Sequence, residues 1–179
     1  MRTMRLAIAT LLGIIAFISK SLLPPVIDKV FLLMEALSFA LSSILVIRWG
    51  ATYASFVNGM LLSIARIGLF PFSLIFSVLY GLLIDGTFEY FKVKSLEDGG
   101  VRIRTLPAVL SLSSIVTGLV ALFSTTMLGV MPMIPFLYVV ILVAGTFNGV
   151  AAGYLTSVIW NKYLSKHPSL LGSSWVYAI

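Results

Sequence analysis

The chain of 179 residues contains no cysteine and a single histidine, His167. Without thiols there is no disulfide, no thiolate nucleophile and no iron–sulfur or zinc–thiolate site, and one histidine excludes a multi-histidine metal centre. Charge is the next scarcity: Asp, Glu, Lys and Arg make up 10% of the residues, against about a quarter in a soluble domain. No Gly-Lys-Ser/Thr sequence is present, which removes nucleotide hydrolysis by a P-loop. Gly-x-Ser-x-Gly, His-Glu-x-x-His and Asp-rich paired motifs are missing as well. The expectation is a non-enzyme without metal or cofactor, whose work is binding, packing or transport.

What is abundant is apolar. Hydrophobic residues account for 60% of the chain and the mean hydropathy is +1.11. At about 20 apolar residues per bilayer crossing, the length holds about five to seven spans and no second folded domain. Runs interrupted by charge, Pro and Gly predict six: about 4–23, 30–47, 53–69, 72–90, 106–127 and 135–160. The expected fold is therefore an all-α integral membrane protein, with six transmembrane helices in one compact bundle formed by residues 1–179. Between the third and fourth spans, Gly68-Leu69-Phe70-Pro71 supplies a Gly to end one helix and a Pro to begin the next. Arg2 and Arg5 ahead of Leu6–Ile18 read like the start of a secretory signal, yet no small-x-small cleavage site follows, and a retained first helix is expected.

The net charge of +6 would suggest nucleic acid in a soluble protein, but here the cations lie in short loops between apolar runs, and no nucleic-acid partner is expected. With a cytoplasmic N-terminus, the inner segments hold nine cations: Arg2, Arg5, Arg48, Lys92, Lys94, Arg102, Arg104, Lys162 and Lys166. The outer segments hold three, Lys20, Lys29 and Arg66. By the positive-inside bias both termini are cytoplasmic. Trp49, Trp160 and Trp175, with Tyr53, Tyr90, Phe91 and Tyr163, fall at the inner ends of spans as an aromatic belt would. The inner loop 92–104 is a hinge, a partner-facing loop or a plain connector, and the tail 161–179 is too short and polar to span.

Small residues recur at helical spacing. Gly145, Gly149 and Gly153 form a flat stripe on the last span, and Ser55, Gly59 and Ser63 form one on the third, both suited to helix packing. Ala9 and Gly13 offer a weaker version on the first, open equally to internal packing and to contact with a partner helix. Ionisable groups inside the membrane usually face the bundle interior or a cavity. Glu35 and Arg66 fall at similar depth on neighbouring antiparallel spans, as an ion pair or as the two ends of a polar-ligand site, with snorkelling of Arg66 as a further alternative. Asp85 suits either function or a structural hydrogen bond, while Asn58 and Asn148 each need a partner helix or a ligand. Tyr80, Tyr138 and Tyr154 are large enough to stack on a flat ligand or to fill the core.

The pattern resembles the substrate-binding S components of energy-coupling-factor (ECF) vitamin transporters. The likeness rests on six spans in this length, small residues around Ala9–Gly13, the stretch from Gly50-Ala51-Thr52-Tyr53 to Tyr80-Gly81-Leu82-Leu83-Ile84-Asp85-Gly86-Thr87-Phe88, and the Gly/Ala-rich segment Ala144–Tyr154. The stretch from Gly50 to Phe88 looks most like the YkoE-type hydroxymethylpyrimidine/thiamine group. The resemblance implies a vitamin-like small-molecule substrate bound near the outer face and a transmembrane coupling subunit that grips the first helix. It also implies a pair of cytoplasmic ATPase subunits, and release of the substrate inside as the bundle topples in the bilayer. The substrate-binding residues expected on this view are Glu35, Arg66, Tyr80, Asp85, Tyr138 and Asn148. A standalone secondary transporter and a non-catalytic membrane assembly protein are the competing readings.

Overall fold

The computed structural model describes residues 2–22, 32–46, 48–93, 100–129 and 134–166. Six α-helices run through them: α1 (Arg2–Ser21), α2 (Leu33–Leu45), α3 (Gly50–Ala65), α4 (Phe72–Tyr90), α5 (Thr105–Met127) and α6 (Pro135–Ile159). A π-helical turn, Trp160–Leu164, continues α6. There is no strand among the described residues.

Side-chain and backbone pairings set the directions. Lys20 meets Glu35, Ser42 meets Gly50, Asn58 meets Ser77 and Ser111 meets Gly149, so successive helices run antiparallel. Gly13 against Ala54, and Lys20 against Arg66, make α1 and α3 parallel. Residue 2 and residue 166 accordingly share one end of the bundle, called here the near end. The far end holds the close of α1 and α3 and the start of α2, α4 and α6.

α2 is the axis of the molecule. Ten of its thirteen residues are buried, and it touches each of the other five helices. Those five follow one another around it in the order α1, α3, α4, α5, α6. The small faces make this close packing feasible. A Cβ on Gly149 would run into the Ser111 Cα and one on Gly153 into the Pro107 Cα, so α5 and α6 nearly touch backbone to backbone. Gly59 faces Leu74 and Ser77 on α4.

The interior combines a hydrophobic core with many polar groups, and much of the exterior is apolar. Its buried residues include Glu35, Asn58, Asn148 and eleven Ser or Thr, while Leu11, Phe56, Ile75, Phe123, Val143 and Phe147 face outward. A largely apolar exterior around a polar-seamed interior is stable in hydrocarbon, where Ser and Asn cross-links between helices add to the packing of the core. Four segments are long and apolar enough to cross a bilayer, namely Thr3–Ser21, Phe72–Tyr90, Thr105–Met127 and Tyr138–Leu164. At about 1.5 Å per residue, α2 is about 20 Å long and α3 about 24 Å, short of the ~30 Å hydrocarbon thickness.

Element boundaries depart from the sequence reading for physical reasons. α3 begins at Gly50, earlier than the expected 53, because the Asp85 carboxylate on α4 accepts the N–H groups of Ala51 and Thr52 and so caps it from outside. It ends at Ala65, ahead of Gly68, where residues 67–69 tighten into a 3-10 turn. The expected start of the second span at Val30 and its end at Ile47 lie outside the described residues, as do loop positions 94–99 and tail positions 167–179. Trp160 is no interfacial anchor: it is 1% exposed, in the core beside Val93, Val101 and Leu106, whereas Trp49, Tyr90 and Tyr163 do face outward. The described ends of the inner loop fold in rather than out. Val93 and Val101 are buried, and the Asn161 side-chain amide holds Val101 by both its N–H and its C=O, at 2.9 and 3.0 Å.

Candidate functional site

Glu35 lies in the first turn of α2, where a helix amino terminus favours a negative charge. Helical spacing puts Ser38 and Ser42 on the same face. The carboxylate is 3% exposed and is approached from two sides. Lys20 Nζ of α1 is 2.9 Å from Oε2, and Asn58 Nδ2 of α3 donates to Oε1 at 3.0 Å. The same amide nitrogen donates to Ser77 Oγ of α4 at 2.9 Å, and that hydroxyl donates onward to the Ser55 carbonyl at 2.8 Å. Arg66 Nη2, at the close of α3, donates to the Lys20 carbonyl at 2.6 Å. One buried carboxylate thereby ties four helices together at the far end of the bundle.

Of the alternatives the sequence left open for Glu35 and Arg66, a direct ion pair is not the arrangement observed: Lys20 stands between them. Lys20, on the last turn of α1, supplies the cation to Glu35 and the carbonyl to Arg66. Asn58 uses both N–H bonds of its amide, while its Oδ1 is buried and has no hydrogen-bond partner. Ser38 Oγ and Ser42 Oγ are likewise buried and unpartnered. Tyr80 extends the polar seam along α4, with its hydroxyl 2.7 Å from Ser114 Oγ of α5 and its ring 5.8 Å from that of Phe39.

Asp85 is elsewhere. It sits two turns nearer the chain termini than Ser77, about 12 Å along α4, and accepts from Ala51 N at 3.2 Å, Thr52 N at 2.8 Å and Thr52 Oγ1 at 2.8 Å. That is an interhelical N-cap, and its oxygens are engaged by α3. Gly81, one turn away, lets α4 approach Ser55 and the Ala51 carbonyl closely enough for the cap to form.

Asn148 and Tyr138 belong to α6, on the other side of α2. Asn148 is 5% exposed and lines a groove of about 790 Å³ between the start of α2 and α6, with Ser19 of α1 at its edge. Ser19, Leu33 and Met34 form one wall, and Phe136, Val143 and Phe147 are prominent on the other. Tyr138 is half-buried. The six expected substrate residues thus divide into a far-end group of Glu35, Arg66 and Tyr80, a groove residue, Asn148, and the separate positions of Asp85 and Tyr138.

The face of α1 on which a partner helix was considered is covered by this chain. Ala9 is fully buried, and a Cβ on Gly13 would meet the Ala54 carbonyl at 2.6 Å. Gly145, Gly149 and Gly153 all face α5. Sequence reasoning missed Lys20, counted there only as an orienting charge, and Ser77, one hydroxyl among many. The signal available was the need of Asn58 for an interhelical partner. No group of three or more metal-ligating side chains occurs among the described residues.

No family model matches the chain, and no curated protein and no solved structure shows significant similarity to it.

Proposed function

We propose that this protein is a six-span membrane subunit with both termini cytoplasmic, which binds a vitamin-like micronutrient for uptake and works with a separate coupling subunit and ATPases. The observation that carries the reading is the far-end crossing of Lys20, Glu35, Asn58 and Ser77. Four polar side chains from four helices meet where a substrate arriving from outside would enter. A buried carboxylate there is costly unless it is paired or serves a ligand. Lys20 and Arg66 offer cations to an acidic ligand group, and Glu35 and the free Asn58 Oδ1 offer acceptors to an amine or ring N–H. The absence of a nucleotide-hydrolysis motif from the sequence supports a division of labour with separate ATPases. The ECF likeness supplies the substrate class.

One observation favours a second reading, a standalone secondary transporter. Glu35 with the unpartnered Asn58 Oδ1 beside it is an oxygen-lined position suited to a coupling cation or proton. Native mass spectrometry of protein extracted gently from its own membrane separates the two. A bound vitamin-sized molecule, with coupling and ATPase subunits in the same complex and loss of the molecule on Glu35→Gln, supports the subunit reading. An isolated chain whose reconstituted vesicles take up solute only under an ion gradient refutes it in favour of the second.

A further inference from the structure

The near end of the bundle gathers most of the charge among the described residues. Arg48 stands at the turn into α3, Lys92 follows α4, Arg102 and Arg104 precede α5, and Lys162 and Lys166 follow α6; all six side chains are exposed. Arg5, in the first turn of α1, is half-buried. Each of the five helices around α2 therefore brings at least one cation to this end, and the cations form a ring about the bundle. Two carboxylates are described there, Asp85 and the exposed Glu89, and Asp85 is engaged in capping α3. None of the seven cations forms an ion pair with a carboxylate among the described residues; the pair that is described, Lys20 with Glu35, lies at the far end.

Orientation in the membrane does not require this arrangement. The positive-inside bias counts Lys and Arg and is little affected by Asp or Glu, so cations paired with carboxylates would direct the chain as well. Unpaired like charges repel one another, and an anionic surface facing the ring removes that cost. Aromatic side chains indicate the kind of surface. In the chain Trp49 follows Arg48, Tyr90 and Phe91 precede Lys92, and Tyr163 follows Lys162, whose Nζ lies 5.5 Å from the Tyr163 ring centroid. Trp49, Tyr90 and Tyr163 are 57–81% exposed. Amphipathic rings beside cations fit the headgroup level of a bilayer, where the ring lies at the apolar boundary and the cation reaches a phosphate. An acidic protein would need a patch on one side, whereas the same pairing recurs here at α3, α4 and α6. Trp49 and Lys92 are also the two non-glycine residues described with left-handed backbone, at φ 61° and 46°. Glycine or asparagine adopts that conformation with less strain, and the turns alone give no reason for an indole or an ammonium there.

We propose that the near-end ring binds the headgroups of anionic phospholipids and concentrates them around the bundle in the leaflet it faces. The inference rests on the membrane-spanning part of the proposed function and is independent of what the protein carries.

Tryptophan fluorescence tests it. In a Trp175→Phe protein the exposed Trp49 reports on lipids at the near end, with the buried Trp160 contributing a background common to all lipids. Adding Trp49→Phe and Phe136→Trp moves the reporter to the far end, to a position 71% exposed. Each protein is reconstituted in phosphatidylcholine vesicles with a minor fraction of phosphatidylglycerol or phosphatidylcholine brominated on the acyl chain close to the glycerol. At low ionic strength, quenching of Trp49 by the brominated phosphatidylglycerol should exceed that by the brominated phosphatidylcholine several-fold, and the two should be equal for the far-end reporter. The preference should collapse between about 0.01 and about 1 M salt, as the Debye length falls from ~30 to ~3 Å, a readout that needs no charge variant. Arg102→Gln, Arg104→Gln, Lys162→Gln and Lys166→Gln combined should remove most of it. Equal quenching of Trp49 by both lipids, a preference that persists at the highest salt, or an equal preference at the far end overturns the proposal. Absence of quenching by either lipid at both ends refutes the membrane-spanning reading itself, and the proposal with it.

Discussion

Replacing Lys20 by Met is the sharpest perturbation of the far-end relay. Met keeps most of the apolar stem and removes the charge 2.9 Å from Glu35 Oε2. What remains is a carboxylate 3% exposed whose one hydrogen bond among the described residues is from Asn58 Nδ2 at 3.0 Å. Removing one partner of a buried ion pair costs about 3–5 kcal/mol, because the other charge is left uncompensated. Lys20 is 22% exposed, so water at the membrane surface moderates the loss and sets the expectation at the lower end, ~3 kcal/mol, or about a hundredfold in the unfolding equilibrium.

The double variant Lys20→Met with Glu35→Gln removes the stranded charge while its neutral amide oxygen still accepts from Asn58. It should return to within ~1 kcal/mol of the parent, since a buried pair is worth little against neutral groups of similar size. The coupling between the two substitutions is then about 2 kcal/mol. Unfolding of the purified protein in mixed micelles by titration with dodecyl sulfate, followed by far-ultraviolet circular dichroism, measures all four forms. A Lys20→Met protein within ~1 kcal/mol of the parent, or a double variant as unstable as the two single losses added, refutes the argument.

The other expectations are local. Asp85→Ala should cost about 0.5–2 kcal/mol, the usual loss of a helix cap, and accelerate amide exchange at Ala51 and Thr52, while Asp85→Asn keeps part of the effect. Gly149→Ala should destabilise the α5–α6 pair by about 1–3 kcal/mol of overpacking, since its new methyl runs into the Ser111 backbone; Gly86→Ala, with nothing within 4 Å, should be neutral or better in the same micelle titration. Trp160→Ala should lose about 3–5 kcal/mol as a core cavity, whereas Trp49→Ala, at a position 60% exposed, should change stability little in the same assay.

Helix number was readable because composition and breakers act locally: charge, Pro and Gly interrupt apolar runs whatever the tertiary arrangement. Thus Phe72–Tyr90 and Pro135 as helix starts and ends follow from the sequence to within a residue. Positions decided by a neighbouring helix were not readable in that way. The start of α3 is set by Asp85, thirty-three residues from Thr52, and nothing in the local sequence announces the cap. Trp160 looked interfacial because it follows an apolar run, but the π turn that carries it directs the ring into the core. The contact that Glu35 makes was not legible either. Depth along a helix was legible and put Arg66 level with Glu35, yet the last turn of α1 lies at the same depth and its Lys20 reaches the carboxylate instead.

The two ends of the bundle are held by different kinds of bond, and this bears on where a ligand could enter. At the near end the ties engage backbone. Asp85 holds two α3 amides, Asn161 holds both polar groups of Val101, and the Gly50 Cα faces the Ser42 carbonyl with no room for a Cβ. The buried indole of Trp160 fills the space between. At the far end the described cross-links depend on side chains: Lys20 to Glu35, Asn58 to Glu35 and the Arg66 guanidinium to the Lys20 carbonyl. The near end adds to its side-chain bonds the close backbone contact of Gly50 with Ser42, which no rotamer change releases, whereas each of those far-end bonds can be released by a change of rotamer. Separation of Lys20 from Glu35 leaves a buried carboxylate without its counter-charge.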